Sequence, residues 1–378
     1  MKKLNALFLL LASSVLFSCS QGSGQSSSSS SVVHSSSETT SSNSATSSDT
    51  SVVSSSSKEV DKIAIPTGDA VDVSATKAIL SATLTKMDAI SDMRLLLKGD
   101  LHCSMDDNTT STYQHDSSDS RSDLIERNSR NENFLLEVKD LNADISVKNL
   151  NQDGFAASGE ATAHAKFNHE SVNVYGNRTE IGSNGLSGLD QDVYAKAYLD
   201  EGVGYFDVSP FLASMIFPDS GDSASSESPR NKFKTDISIP QFSWASIMQG
   251  IAYADQINPT VSAVKKEDVY SLIYSVPCKT ILAMGGIDFG TVSPDSKFEG
   301  SIKVAASFDE NKLLDVVAIS DIDIDCMVIF TSGYSEYIQK MKESIVGAIK
   351  ASLSYDDVSV ASVSNPDDYY STDDDLFN

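Results

Sequence analysis

The apolar positions of this chain change their period along its length. Between residues 72 and 90, Ala75, Ile79, Ala82 or Thr83, and Met87 recur at helical spacing, with Asp72 or Ser74 placed to cap the helix. From 93 to 105 the period becomes two. Leu95, Leu97, Leu101 and Cys103 share one face, and Arg94, Lys98, Asp100 and His102 share the other. That alternation predicts a half-buried strand. Further strands are expected over 133–147, 155–167, 192–199, 204–208, 233–239, 269–276, 298–308 and 313–324. Asp200-Glu201-Gly202 and Asp309-Glu310-Asn311 read as hairpin connections. Links this short cannot carry parallel crossovers, so the strands form an antiparallel meander. Helices are expected again over 241–257, after Pro240, and over 335–353. In the later one Tyr334, Ile338, Met341, Ile345, Ile349 and Leu353 form a stripe at helical spacing. The expected class is α+β: a curved antiparallel sheet with helices covering one face. There is no repeat at a fixed period.

The two ends of the chain read differently. Lys2 and Lys3 precede an apolar stretch over 4–17, interrupted by Asn5, Ser13 and Ser14. It is shorter than the ~20 apolar residues of a membrane span, and a polar tract follows, so it reads as a secretory signal. It closes on Leu16-Phe17-Ser18-Cys19. A small residue directly before a cysteine resembles the lipobox of bacterial lipoproteins, although Phe17 is bulky for its place. The resemblance implies a signal peptide over 1–18, diacylglyceryl on the Cys19 thiol, and attachment to the cell membrane outside the cytoplasm. Each buried methylene contributes ~0.8 kcal/mol, so two acyl chains anchor a protein that one chain holds only reversibly. Residues 20–57 then hold 21 Ser and four Thr, with His34 among them. Such a tract cannot offset chain entropy by burying surface, so 19–57 is expected to be a disordered linker. Its r.m.s. reach as a flexible chain is roughly 30–40 Å. The Ser- and Asp-rich 218–231 reads as a mobile loop. Acidic 364–378 reads as a solvated tail, leaving 58–363 as one folded domain.

Charge narrows the function classes. Lys and Arg number 28 against 53 Asp and Glu, for a net charge of −25. Nucleic acid is excluded as a partner, because phosphate backbones are bound by clustered cations. The 40% hydrophobic content, with 13 Tyr and 15 Phe, is enough for a core. There is no Gly-x-Ser-x-Gly elbow, no P-loop and no Gly-x-Gly-x-x-Gly, and Gly285-Gly286 reads as a plain turn. No enzyme, cofactor or metal site is expected. His164 and His169 are five apart, so a strand turns them to opposite faces. His102 and His115 have no evident partner. Asp321, Asp323 and Asp325 share one face of a strand. They suit a solvated outer surface, or weak Ca²⁺ binding that a straight strand cannot complete. Cys103, Cys278 and Cys326 sit in apolar segments and read as small buried hydrophobes; one disulfide among them, or a reactive thiol, is the alternative. Trp244 reads as core. Asn108-Thr109-Thr110 and Asn177-Arg178-Thr179 match the glycosylation sequon, but a bacterial lipoprotein gives no reason to expect its use.

The plan as a whole resembles the LolA/LppX-like lipoproteins. The residues that carry the likeness are Asp192-Val-Tyr-Ala-Lys-Ala-Tyr-Leu-Asp-Glu-Gly-Val-Gly-Tyr-Phe-Asp-Val-Ser209, Asp268-Val-Tyr-Ser-Leu-Ile-Tyr-Ser275 and Phe308-Asp-Glu-Asn-Lys-Leu313. The likeness is one of pattern over most of 70–355. It implies a sheet curled into an incomplete barrel, with helices closing its concave face over a cavity for an apolar or amphiphilic ligand. Leu95, Leu97 and Leu101, with Tyr334, Ile338, Met341 and Ile345, are the candidate lining; taken singly, each also suits ordinary core packing. The other function class is a structural lipoprotein whose partner is another envelope protein.

Overall fold

The computed structural model describes residues 63–114, 125–175, 178–183, 188–200, 202–216, 231–237, 242–244, 247–284, 289–332 and 335–371. The leader, Cys19, the serine tract, His115, most of 218–231, Gly285-Gly286 and Tyr334 lie outside them. Strands dominate. In chain order they are β1 (Asp69–Ala70), β2 (Met93–Gln114), β3 (Ile125–Lys148), β4 (Ala156–Tyr175), β5 (Arg178–Ser183), β6 (Leu189–Asp200), β7 (Val203–Val208), β8 (Lys232–Asp236), β9 (Thr260–Lys266), β10 (Val269–Pro277), β11 (Lys297–Glu299), β12 (Ser301–Phe308), β13 (Leu313–Ser332), β14 (Ser335–Ser354) and β15 (Tyr370–Ser371). The helices are α1 (Val73–Met87), α2 (Pro210–Ile216), α3 (Ile247–Asp255) and α4 (Cys278–Met284).

All of these strands join one 15-stranded sheet in the order β1-β9-β10-β12-β13-β14-β2-β3-β4-β6-β7-β8-β15, with β11 also on β13 and β5 on β4. Every pairing is antiparallel except that of β15 with β8. The expected antiparallel sheet is present, and with so little helix the class is mostly β rather than α+β.

The largest correction concerns 335–353. This stretch is strand β14, lying between β13 and β2, with Ile345 opposite both Ile322 and Cys103. Residues four apart share a face on a strand as well as on a helix, so Met341, Ile345, Ile349 and Leu353 fit both periods. Ile338 and Met341, three apart, decide between them. A helix would bring them together; the strand turns them to opposite faces. Two long neighbours supply the pairing that settles the choice.

Other differences are smaller. β2, β3, β4 and β13 run past their expected ends to lengths of 20 to 24 residues. The strand expected over 298–308 is interrupted at Gly300, where φ is +82° and a Cβ would stand 2.0 Å from the Asp321 carbonyl oxygen. The helix expected over 241–257 is Ile247–Asp255, and Trp244 precedes it as a core residue, 5% exposed. The expected acidic tail begins with a turn at Pro366–Asp368. Tyr370–Ser371 then adds a strand to β8.

Three apolar clusters hold the helices to one face. α1 starts on its cap, Asp72 Oδ1 accepting from Ala75 N at 2.7 Å, and buries Leu80, Leu84 and Met87 against Ala263, Leu272 and Phe308. Lys86 and Thr83 donate to the carbonyls of Glu310 and Asp309, which ties α1 to the β12–β13 hairpin. Cys278, Ile281 and Leu282 of α4 pack with Ile302, Ile322, Ile324 and Ile345. Ala213 of α2 packs with Val208 and Phe233. Asp321, Asp323 and Asp325 stand exposed on the opposite face, as the alternation predicted, although that face also buries Ala305 and Val317.

Candidate functional site: an apolar lane across the central strands

Cross-strand register assembles the helix-bearing face row by row. One row runs Ile322, Ile345, Cys103, Leu136, Phe167 and Leu189 across six adjacent strands, apolar throughout. A second runs Val316, Ala351, Leu97, Ala143, Ala161, Ala195 and Val208. The two stay on the same face because of a bulge. The β3–β4 register shifts between Lys139 and Asn142, and Asp140, at φ +52°, donates its amide to Asp100 Oδ1 at 2.7 Å.

The lane is unevenly covered. α1 packs on β9 and β10, α4 on β10 and β11, and α2 on β6 and β7. Leu97, Phe134, Leu136 and Phe167 belong to none of the three buried clusters and are half-buried. Phe134 and Phe167 meet edge to face at 5.6 Å. A half-covered apolar strip in the middle of a sheet, flanked by helices, offers an apolar chain area to remove from water.

The lane ends on a charged border. One step along the strands comes the row Ile324, Glu343, Met105, Phe134 and His169, and next to it Cys326, Met341, Asp107, Glu132 and Ser171. Asp107 is 5% exposed and Glu132 9%. Asp107 accepts from Gln339 Nε2 at 2.7 Å and from Thr109 Oγ1 at 3.3 Å. Glu132 lies 2.9 Å from His169 Nε2 and pairs with Arg130 on its other oxygen. These side chains satisfy one another, as buried polar groups must. Glu343 sits between Ile324 and Met105, where burial raises its carboxyl pKa. Burial, with a contribution from Glu343, pushes the Cys103 and Cys278 thiols up to about 11. These thiols are protonated at neutral pH and poor nucleophiles. Cys103, Cys278 and Cys326 are free, and Cys278 and Cys326 are buried, as small apolar residues.

Five of the seven candidate lining residues share this face. Leu95 and Ile345 are buried in it, and Leu97, Leu101 and Met341 are half-buried. Ile338 is on the opposite face, paired with Ile329, and Tyr334 lies outside the described residues. The sequence reading missed Phe134, Leu136 and Phe167. Phe134 and Leu136 do alternate with Asn133, Leu135 and Glu137, but Leu135 on the polar face blurs the pattern. His102, expected without a partner, lies 3.1 Å from Glu137 on β3. His164 and His169 occupy opposite faces, and His164 lies between Asp192 at 2.9 Å and Asp190 at 2.8 Å. Both carboxylates raise its pKa, Asp192 the more.

The polar face has a groove of about 520 Å³ across β13, β14, β2 and β3, walled by 293–296. Asn108, Asn131, Lys340 and Lys342 line it, with Lys342 3.6 Å from Asp325. Among the described residues, no group of His, Cys, Asp and Glu has the geometry to hold a metal ion.

No family model matches the chain, and no curated protein matches it. Among solved structures, a β-barrel-like protein of the domain of unknown function DUF1849 from Brucella abortus aligns at 12% identity. That alignment covers 68% of this chain and 98% of the other, with a TM-score of 0.11. The outer membrane protein OprG from Pseudomonas aeruginosa aligns at 10% identity over 69% of this chain and 96% of its own, with a TM-score of 0.09. Superpositions at these scores do not establish a shared fold.

Proposed function

We propose that the protein is an extracytoplasmic lipoprotein, anchored through Cys19, that binds or carries an amphiphilic or apolar ligand on the lane. In this reading the sheet forms an incomplete barrel around the ligand. One observation carries the proposal: half-buried Leu97, Phe134, Leu136 and Phe167 lie beside the charged Asp107–Glu132 border on the same strands. An amphiphile has the same division, with its chain against the apolar rows and its head at the border. The positive n-region and the Ser18-Cys19 junction support the anchor.

Native mass spectrometry of the full chain, released from membranes in mild detergent, tests the ligand. The expected spectrum shows a solvent-extractable lipid adduct on the parent chain. Leu136→Asp sets an unpaired charge in the lane and should lower its occupancy about tenfold or more. Equal adduct on both chains would place the lipid elsewhere and remove the reading. Metabolic labelling with an acyl probe tests the anchor, and a Cys19→Ser chain should lose the label.

A further inference from the structure

The groove beside 293–296 lies on the face opposite the apolar lane, and cross-strand register builds its floor. One row runs Asp325, Lys342 and Asp106 across β13, β14 and β2. The next runs Met327, Lys340, Asn108 and Asn131, reaching β3. Two hydrogen bonds fix the wall. Ser293 N donates to the Met327 carbonyl at 2.7 Å, and Met327 N donates to Ser296 Oγ at 3.0 Å. Ser293 Oγ accepts from Asp295 N at 3.4 Å. Both serines accept in these contacts and keep their O–H groups to donate.

The groove is left with polar capacity that its own residues do not use. Asn131 Oδ1 is buried and has no hydrogen-bond partner among the described residues. Buried acceptors are normally paired, because an unmade bond leaves the cost of desolvation uncompensated. Lys342 is 3.6 Å from Asp325, whereas Lys340, Asp106 and Asp295 form no ion pair among the described residues. Acceptors and donors therefore face the same space of about 520 Å³, within the roughly 300–1,000 Å³ of ligand pockets. Three carboxylates against two lysines disfavour an anion. The carboxylates lack the geometry to hold a metal ion. Among the lining residues, Cys326 and Met327 alone are apolar, which suits no hydrocarbon chain.

We propose that this groove binds a neutral saccharide. A sugar hydroxyl donates and accepts at once, which is what a surface of mixed donors and acceptors requires. One hydroxyl donating to Asn131 Oδ1 satisfies the buried acceptor. Others donate to Asp106 and Asp295 and accept from Lys340 and the two serines. No aromatic ring lines the groove to stack on a sugar face. Affinity then rests on about four net hydrogen bonds, a dissociation constant of about 1 mM. The site stands apart from the lane and does not depend on what the lane holds.

Saturation-transfer NMR on the full chain, in a sugar-free detergent, tests this. Maltose and lactose represent free sugars, and diacetylchitobiose represents the amino-sugar glycan of a cell wall. At least one should give transfer that saturates near the millimolar range. Asn131→Leu, similar in size but unable to accept, should weaken that binding about tenfold or more. Asn131→Asp, which still accepts, should retain it. Lys340→Met, at an exposed position, should weaken it about threefold or more. Circular dichroism matching the parent confirms that the variants fold. Absence of transfer from all three sugars overturns the proposal, as does unchanged binding in both Asn131→Leu and Lys340→Met. Displacement of the sugar by inorganic phosphate would assign the groove to an anion on Lys340 and also overturn it.

Discussion

β2 and β3 form one ladder from the Met93–Val147 pair to the Gln114–Ile125 pair, yet its two halves are different materials. Over 93–105 one face is apolar, and Met93, Leu101 and Cys103 pack against the clusters beneath the helices. Over 106–114 and 126–133 both faces are polar: Asp, Asn, Thr and Ser on β2, and Glu, Arg, Asn and Ser on β3. The first half has its register set by burial, because a slip of one residue would move Leu95, Leu97 and Leu101 to the polar face. The second half has no such constraint. It is held in register by the first half and by the backbone ladder, while on its other side β14 ties to β2 through the Gln339–Asp107 hydrogen bond. Strand length is therefore set by hydrogen bonding, while position is set by the apolar half.

The strongest way to break this contrast is Phe308→Ala. Phe308 is fully buried beneath α1 and stacks on Tyr270 at 6.0 Å. Its truncation should cost about 3–5 kcal/mol in urea denaturation. Thr110→Ala in the polar half should stay within ~0.5 kcal/mol. Comparable losses from the two would mean that the distal ladder has a core of its own. Asp107→Ala comes next. It leaves the Gln339 and Thr109 donors unmet at the border and should cost about 1–3 kcal/mol. Asp107→Asn, which still accepts, should cost less, and equal losses would show that packing rather than hydrogen bonding is at stake.

Two titrations sharpen the contrast further. Burial gives Glu343 a folded-state pKa above its ordinary value of 4.5. The folded chain then holds its proton more tightly than the unfolded one, so stability falls as pH rises from about that value through the folded pKa. Glu343→Gln should flatten this decline in urea titrations across that window. A slope that persists in the variant would locate the effect elsewhere. The smallest effect belongs to His164, on the solvated face. Its pKa is raised above 6.5 by Asp192 and Asp190. Its contribution is complete below pH 6.5 and fades as pH rises through the folded value. His164→Ala should match the parent at alkaline pH and fall slightly below it in weak acid, with added salt closing the gap.

Particular residues show how far the sequence could be read. The strict alternation of Leu95, Leu97, Leu101 and Cys103 against charged neighbours leaves one interpretation, and β2 lies where it was expected. The distal polar halves were illegible, since residues 106–114 carry no apolar period to detect. β14 was misread because i, i+4 spacing is common to both periods. The candidate lining split accordingly: Leu95, Leu97, Leu101, Met341 and Ile345 share the face, whereas Ile338 needed the helical period to join them. Phe134, Leu136 and Phe167 entered only through β3 and β4, whose register depends on a bulge at Asp140 that alternation does not announce.

By itself the sequence determined the compositional boundaries, the antiparallel character and the face to which each residue of the short-period strands belongs. Those follow from local chemistry: charge, serine content, and the two-residue pleat. Tertiary structure decided which strands became neighbours, that 335–354 extends rather than coils, and that apolar and charged rows meet at one border. Pairing energy is shared between segments far apart in the chain. A stretch compatible with two conformations takes the one its neighbours can hydrogen-bond.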